Sequence, residues 1–257
     1  MKKRLTAERR NEIAQLLLRN GNIKAGELAI QFDVSTETIR KDLIFLEEQG
    51  IARKSYGGAI ASTELAERPV ALKQMERMDI KTAIAHRALK LIPEKGVVIL
   101  DAGSTTYALA KLLTLKNDLT IFTNSLIALN LLSDSPNQVF ALGGRIRESS
   151  KGTIGVWAIQ ALASLHADIA FLGTDGFKDL AGPSSASYEE SELKQVMIAH
   201  SEKTVILCDH TKLRSNSLFQ FCDWSEVYAL IINQPEAPEE TALIDKINKK
   251  TNVFLSE

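Results

Sequence analysis

Apolar positions recur at helical spacing from Thr6 to Gly50 and then give way to short β-branched runs separated by amphipathic stretches, so the chain reads as two regions of different construction. From Thr6, the residues Ile13, Leu16 and Leu17 form one face of a first helix that Asn20-Gly21 ends. "IKAGELAIQF" puts Leu28 and Phe32 on one face of a second helix, which stops at Asp33. Ser35 is placed to cap a third, in which Ile39, Leu43 and Leu46 make an i, i+4, i+7 stripe and which Gly50 closes. The face opposite that stripe centres on Glu37 and Lys41, with Arg40 and Ile44 beside them. Beyond Gly50, "IARKSYGGAIA" predicts two short strands turned around Gly57-Gly58, with Arg53, Lys54 and Tyr56 on the approach.

The stretch from Ala61 to Asp79 is polar, carries Pro69 and ends in charged residues at helical spacing, as a linker running into a helix would. The expected organisation is a head over 1–61, a linker over 62–78 and a second domain over 79–257. From Lys81 onward, β-branched runs alternate with amphipathic segments, the pattern of stacked βα units on a largely parallel sheet. Strands are predicted at 96–100, 119–123, 138–142, 168–173, 204–208 and 228–232. Ligands bind at the strand ends of such sheets. After "VVIL" comes "DAGSTT", where Gly103 permits a close turn and Ser104, Thr105 and Thr106 can open a helix whose free amides would attract an anion. Serine and threonine also cap helices that bind nothing, so this turn alone leaves both roles open. Polar ends recur at Thr123-Asn124-Ser125, at Gly143-Gly144, at Gly173 to Gly176 and at Asp209 to Lys212, which suggests a shared pocket.

At 257 residues, 45% hydrophobic and 25% charged, the chain can bury a sizeable core. No apolar run nears the roughly 18 residues of a membrane span, which points to the cytoplasm and to no membrane partner. Cys208 and Cys222 read as reduced thiols, and His86, His166, His200 and His210 lack ligand spacing, so neither metal nor cofactor is expected. Charge is unevenly spread: residues 1–61 hold 11 Lys/Arg against 8 Asp/Glu, while residues 62–257 hold 20 against 24. A basic head thus precedes an acidic body.

Two helices with a tight turn, then a basic hairpin, form the layout of a winged helix-turn-helix, whose third helix enters the major groove while the wing grips the backbone. A solvated amphipathic helix would carry the same basic pair, and these features alone do not separate the two. Arg9, Ile13, Leu17, Ser35, Thr38, Ile39, Arg40, Lys41, Asp42 and Leu43, in one register, resemble the DeoR-type helix-turn-helix signature, and "YGG" at 56–58 resembles that family's wing. The resemblance implies a motif near 23–42 on double-stranded operator DNA. Ser35, Thr36, Glu37, Thr38, Arg40 and Lys41 would lie at the DNA on the recognition helix, with Arg53, Lys54, Tyr56, Gly57 and Gly58 on the wing.

The second region resembles the DeoR-type sensor domain through "DAGST", "TNS", "GGRIR", "FLGTDG", "EESELKQVM" and "DHTKL". That implies a fold similar to ribose-5-phosphate isomerase and CoA transferases, and a phosphorylated sugar or related metabolite as effector. By the resemblance, Gly103, Ser104, Thr105 and Thr106 would hold the phosphate. Asp101, Asn124, Asp175 and Asp209 would meet sugar hydroxyls, Arg147, Lys194 and Lys212 would supply positive charge, and Thr123, Ser125, Gly143, Gly144 and Gly176 would complete the walls. A helical lysine such as Lys194 is otherwise more often solvated. "AGPSSASYEE" at 181–190 departs from the family's Thr-rich pattern and leaves the ligand's identity open. Two functions are then in view: a regulator, most often a repressor in this family, of a carbohydrate-catabolism operon, or a sugar-phosphate isomerase-like enzyme with a DNA-binding head. One small head covers little DNA, so a homo-oligomer on repeated half-sites is expected.

Overall fold

The computed structural model describes residues 6–48, 51–61, 69–177 and 181–256. Two compact units emerge, Met1–Glu67 and Arg68–Glu257.

In the first unit, helix α1 (Thr6–Asn20) leads through strand β1 (Asn22–Lys24) to α2 (Ala25–Phe32) and α3 (Thr36–Glu48), followed by the hairpin β2 (Ala52–Ser55) and β3 (Gly58–Ala61). The turn between α2 and α3 is made by Asp33 in the left-handed region (φ 51°), whose amide satisfies the Ala29 and Ile30 carbonyls. Ser35 Oγ then accepts the Thr38 amide at 3.1 Å, a cap that starts α3 where the sequence places it. The expected end of α3 at Gly50 lies outside the described residues. Ile13 and Leu17 of α1, Leu28 and Phe32 of α2, and Ile39, Leu43 and Leu46 of α3 are buried together, as their spacing requires. Strand β1, too short for any periodicity to reveal, pairs antiparallel with β3, so the hairpin becomes a three-stranded sheet. A Cβ at Gly58 would come within 1.9 Å of the Ile23 carbonyl oxygen, so this closeness demands glycine.

The second unit begins with α4 (Val70–Met75) and α5 (Met78–Leu89). This corrects the linker expected over 62–78. Its first part, 62–68, lies outside the described residues, while Val70 is buried and its amide bonds the Ser149 carbonyl at 2.7 Å, so the later part belongs to the second unit. Next come β4 (Gly96–Leu100), α6 (Ser104–Leu113), β5 (Leu119–Thr123), α7 (Leu126–Leu132), β6 (Gln138–Ala141), the hairpin β7 (Arg145–Arg147) and β8 (Gly152–Ile154), α8 (Val156–Leu162) and β9 (Ala167–Gly173). Then follow β10 (Ser184–Ser185), α9 (Tyr188–Ala199), β11 (Ser201–Leu207), β12 (Phe219–Gln220), β13 (Ala229–Asn233), α10 (Pro238–Asn248) and β14 (Asn252–Ser256).

Seven strands form a parallel sheet in the order β14-β13-β11-β9-β4-β5-β6. Strands buried on both faces explain why their runs are continuously apolar rather than alternating. Val98 and Leu100 of β4 face Ile84 of α5 and Leu109 and Leu113 of α6, while Ile99 between them joins Ala158 of α8 and Leu193 and Met197 of α9. Helices therefore cover both faces. The six predicted strands are present with ends displaced by up to three residues, and β14 was not expected because "NVFLS" is a brief polar-flanked run beside a charged helix.

The chain enters this sheet at β4, moves outward to β5 and β6, then returns across β4 to β9. The crevice between the carboxyl ends of β4 and β9 is thus the topological switch point, where open α/β sheets bind ligands.

Candidate functional site

On the head, α3 turns its apolar stripe inward and leaves Thr36, Glu37, Arg40 and Lys41 exposed. Arg40 lies 3.6 Å from Glu37 in an exposed i, i+3 pair, a contact worth a few tenths of a kcal/mol that would yield to a phosphate or base. Ser35 and Thr38 share a hydroxyl contact at 2.8 Å, which leaves their oxygens engaged in starting the helix. Asp42 has a different task. Buried on α3, it accepts Arg9 Nε at 2.7 Å and Arg10 Nε at 2.8 Å, clamping α1 to α3. The hairpin holds Arg53, Lys54 and Tyr56 exposed, and Gly57 sits at φ 74° in the turn. The Lys54 amide bonds Glu47 Oε1 at 2.8 Å, tying the wing to the recognition helix. One exposed, cation-bearing helix face and a basic hairpin thus share one small unit.

In the second unit, the switch point is closed by a buried charge network. Asp101, at the end of β4, accepts the Gly173 amide of β9 at 3.0 Å and the Lys194 ammonium, which also donates to the Gly173 carbonyl at 2.9 Å. Burial pushes the Asp101 carboxyl upward, and the Lys194 ammonium and the Gly173 amide pull it back. Lys194 is therefore not a solvated helical lysine: it reaches inward from α9 and lies 5.3 Å from the Phe221 ring centroid. Beside it, Glu190 receives Arg147 at 3.4 Å and the Ser185 hydroxyl at 3.2 Å. The unusual serine segment has local uses: Ser184 and Ser185 form β10, and Ser187 caps α9.

The first turn of α6 treats three consecutive hydroxyl residues differently. Thr106 is fully buried and donates to the carbonyls of Asp101 at 2.7 Å and Gly103 at 3.0 Å. Its hydroxyl holds the turn. Ser104 is partly exposed, Thr105 is 8% exposed, and the first-turn amides of the helix have no intrahelical acceptor. Thr123, Asn124 and Ser125 are buried and bonded within the unit. Thr123 Oγ1 accepts the Ser125 amide at 3.0 Å, and Ser125 caps α7. Asn124 joins the Ala102 amide at 2.9 Å to the Thr153 carbonyl at 3.1 Å. Gly143 is exposed. Gly144 (φ 132°) brings its backbone against Ile154, where a Cβ would stand 2.4 Å from the carbonyl oxygen.

Two aspartates complete the rim. Asp175 accepts Lys73 at 3.0 Å and the Ala186 amide at 3.0 Å, and Gly176 next to it bridges Ser184. Burial would raise the Asp175 carboxyl, but the ammoniums of Lys73 and Lys212 outweigh it and hold the group well below the usual carboxylate range. Asp209, buried, accepts both the amide and the hydroxyl of Thr211, so it caps the turn His210–Leu213. Against its burial, the Thr211 hydroxyl and the Lys212 ammonium depress its carboxyl. Sequence reasoning missed Lys73 and Lys81, because both lie in or beside the presumed linker. Lys81 is a buried lysine just inside α5, whose ammonium donates to the carbonyls of Lys73 and, at 2.8 Å, of Glu76.

The site therefore combines a helix N-terminus, the partly exposed Ser104 and several cations around carboxylates that are already engaged. Such a set can hold an anion.

Comparison with known proteins agrees with both halves. The DeoR-like helix-turn-helix domain matches residues 9–64, and the DeoR C terminal sensor domain matches residues 76–234. The chain is 36% identical over 208 residues to the HTH-type transcriptional regulator GolR of Listeria innocua, covering 80% of this chain and 82% of that one. It is 32% identical to the HTH-type transcriptional repressor GlcR of Bacillus subtilis over 88% of each chain. Among solved structures, a D-ribose-5-phosphate isomerase in complex with phospho-erythronic acid is similar over 52% of this chain and 53% of that one, at 19% identity and a TM-score of 0.40. With a DeoR-like helix-turn-helix at its head and a DeoR sensor domain over most of the remainder, the chain belongs to the DeoR family of transcriptional regulators.

Proposed function

We propose that this protein is a repressor of a carbohydrate-metabolism operon, and that a phosphorylated sugar or related metabolite bound at the β4/β9 switch point changes its hold on operator DNA. The observation that carries the reading is the first turn of α6. Its first-turn amides, which have no intrahelical acceptor, and the partly exposed Ser104 follow directly on Asp101, the carboxylate that Lys194 holds, a fit for one phosphate group. The sugar would lie toward Asp175 and Arg147, and the exposed faces of Arg40, Lys41, Arg53 and Lys54 would meet DNA as a homo-oligomer on repeated half-sites. Relatives named as regulators and a repressor support the regulatory reading.

An isomerase is the weaker reading. Such a reaction needs a carboxylate free to take a proton from substrate carbon, and each aspartate at the rim is already engaged: Asp101 by Lys194, Asp175 by Lys73 and Asp209 by Thr211.

The test is a thermal-shift panel of pentose and hexose phosphates against the same sugars without phosphate. A ligand present at 100 times its dissociation constant stabilises the fold by about 2.7 kcal/mol. The reading expects a shift from phosphorylated members alone, and the same compounds to change the gel mobility of a duplex that the protein has selected from a random pool. Steady turnover of any member would favour the enzyme.

A further inference from the structure

The sheet of the second unit is covered unevenly at its β6 end. Helix α7 packs Ala128 and Leu132 on one face of β5 and β6, but on the opposite face the Phe122 and Phe140 rings stack at 4.7 Å and Phe140 stays 47% exposed. The same corner holds two more open apolar side chains. Thr153 donates to the Leu142 carbonyl just past β6, and Ile154 lies against Gly144, so the start of α8 is seated there, with Val156 and Trp157 of its first turn 65% and 73% exposed. Helix α8 turns Ala158 and Leu162 into the core on that side of the sheet, against which Phe122 also packs.

Strand β6 is also an unguarded edge. It ends the sheet, and among the described residues no strand pairs with its outer side. The Leu142 amide bonds the Thr123 carbonyl of β5 at 2.9 Å, so by alternation Val139 and Ala141 turn their amides and carbonyls outward. Proteins protect such edges with charge or proline. Neither is here: "QVFAL" at 138–142 and "VWAIQALA" at 156–163 hold no charged residue and no proline. That neutrality points to the occupant. In a two-fold contact each residue near the axis meets its own kind, so a charge on the face would repel itself, and a face with none fits a second copy of this chain. A nucleic acid or an acidic partner would find no cation to hold.

Resting on the reading of the protein as a homo-oligomer, we infer that two copies join through β6, antiparallel, with the pair centred on Phe140. Val139 then exchanges both ladder hydrogen bonds with Ala141 of the second copy. Phe140 stands directly opposite its counterpart at a non-hydrogen-bonded position, where side chains approach closest, and the stacked rings of the two copies form one row. The two sheets continue as one. Residues opposite each other across an antiparallel pair share a face, so α8 of each copy lies on the side of the rings, and Val156 and Trp157 flank the junction from both ends.

The test uses the full chain in sedimentation equilibrium, with thermal unfolding beside it. The wild type is expected as a dimer or a multiple of one. Phe140→Lys sets ammonium against ammonium across the two-fold axis, and Trp157→Lys places charge in the apolar flank; each should weaken the assembly at least about tenfold. Phe140→Cys should crosslink two chains under mild oxidation, because facing Cα atoms at such a position lie about 4.5 Å apart, whereas Leu115→Cys, exposed between α6 and β5, should not. The native Cys208 and Cys222 are buried and take no part. Wild-type assembly in either folded lysine variant, or Phe140→Cys chains that stay separate while the wild type is oligomeric, would overturn the β6 contact and leave the homo-oligomer standing. If Phe140→Lys fails to fold, the crosslink and Trp157→Lys decide. A wild type that is monomeric both free and on duplex DNA removes the homo-oligomer and the contact together.

Discussion

Thr105 and Thr106 are neighbours of one residue type with opposite employment. Thr106, fully buried, donates its hydroxyl to two carbonyls, whereas Thr105, 8% exposed, stands one position nearer the start of α6. Thr105→Asp therefore places a carboxylate at the position proposed for the ligand's phosphate while α6 keeps its start, since an acidic residue suits a helix's first turn. Repulsion at close range in a partly screened site is on the order of 2 to 4 kcal/mol. Calorimetry with the sugar phosphate that gives the largest thermal shift should show binding lost, and operator affinity without ligand should stay near wild type. Wild-type affinity in the variant would mean that the phosphate lies elsewhere and that "GSTT" only starts a helix.

Helix α3 shows how one element separates stability from recognition. Its inner side carries the apolar stripe and Asp42, whose two oxygens are taken by Arg9 and Arg10. Asp42→Ala would leave the buried Arg9 without its counter-charge, a loss of about 3 to 5 kcal/mol, and thermal unfolding of the head should show it directly. Its outer side behaves differently. Arg40→Ala and Lys41→Ala remove exposed cations, so the melting curve should stay within about 0.5 kcal/mol of wild type. Operator binding should instead fall by about 1 to 3 kcal/mol for a cation that pairs with a base, with relaxed sequence choice at that position. Gel shifts that leave both variants at wild-type affinity would remove α3 from the DNA interface.

For the whole molecule, the rim carboxylates set the response to acid. Asp175 and Asp209 have folded values below the ordinary range near 3.9, so the unfolded chain takes up protons first as pH falls and stability is lost below about pH 4. Asp101 is shifted the other way. The folded state binds its proton more readily than the unfolded chain does, so mild acid adds a little stability before the loss begins. Denaturant midpoints measured from neutrality downward should hold or rise slightly to about pH 4 and then drop, and Asp175→Asn should flatten the drop. A steady decline beginning near pH 6 would contradict the assignment of these shifts.

The helices of the head, the cap at Ser35, the wing and six of the seven sheet strands were legible along the chain, because periodicity, capping and turn chemistry act over a few residues. The residues that crowd the switch point were legible as polar strand ends, which any parallel sheet must gather on one edge. Their individual roles were not. Whether Lys194 is solvated or buried on Asp101 across 93 positions, and whether residues 70–78 are linker or packed structure, depend on partners distant in sequence. The pairing of Lys73 with Asp175, 102 positions apart, has no local signature, because strand order rather than any nearby pattern brings the two together.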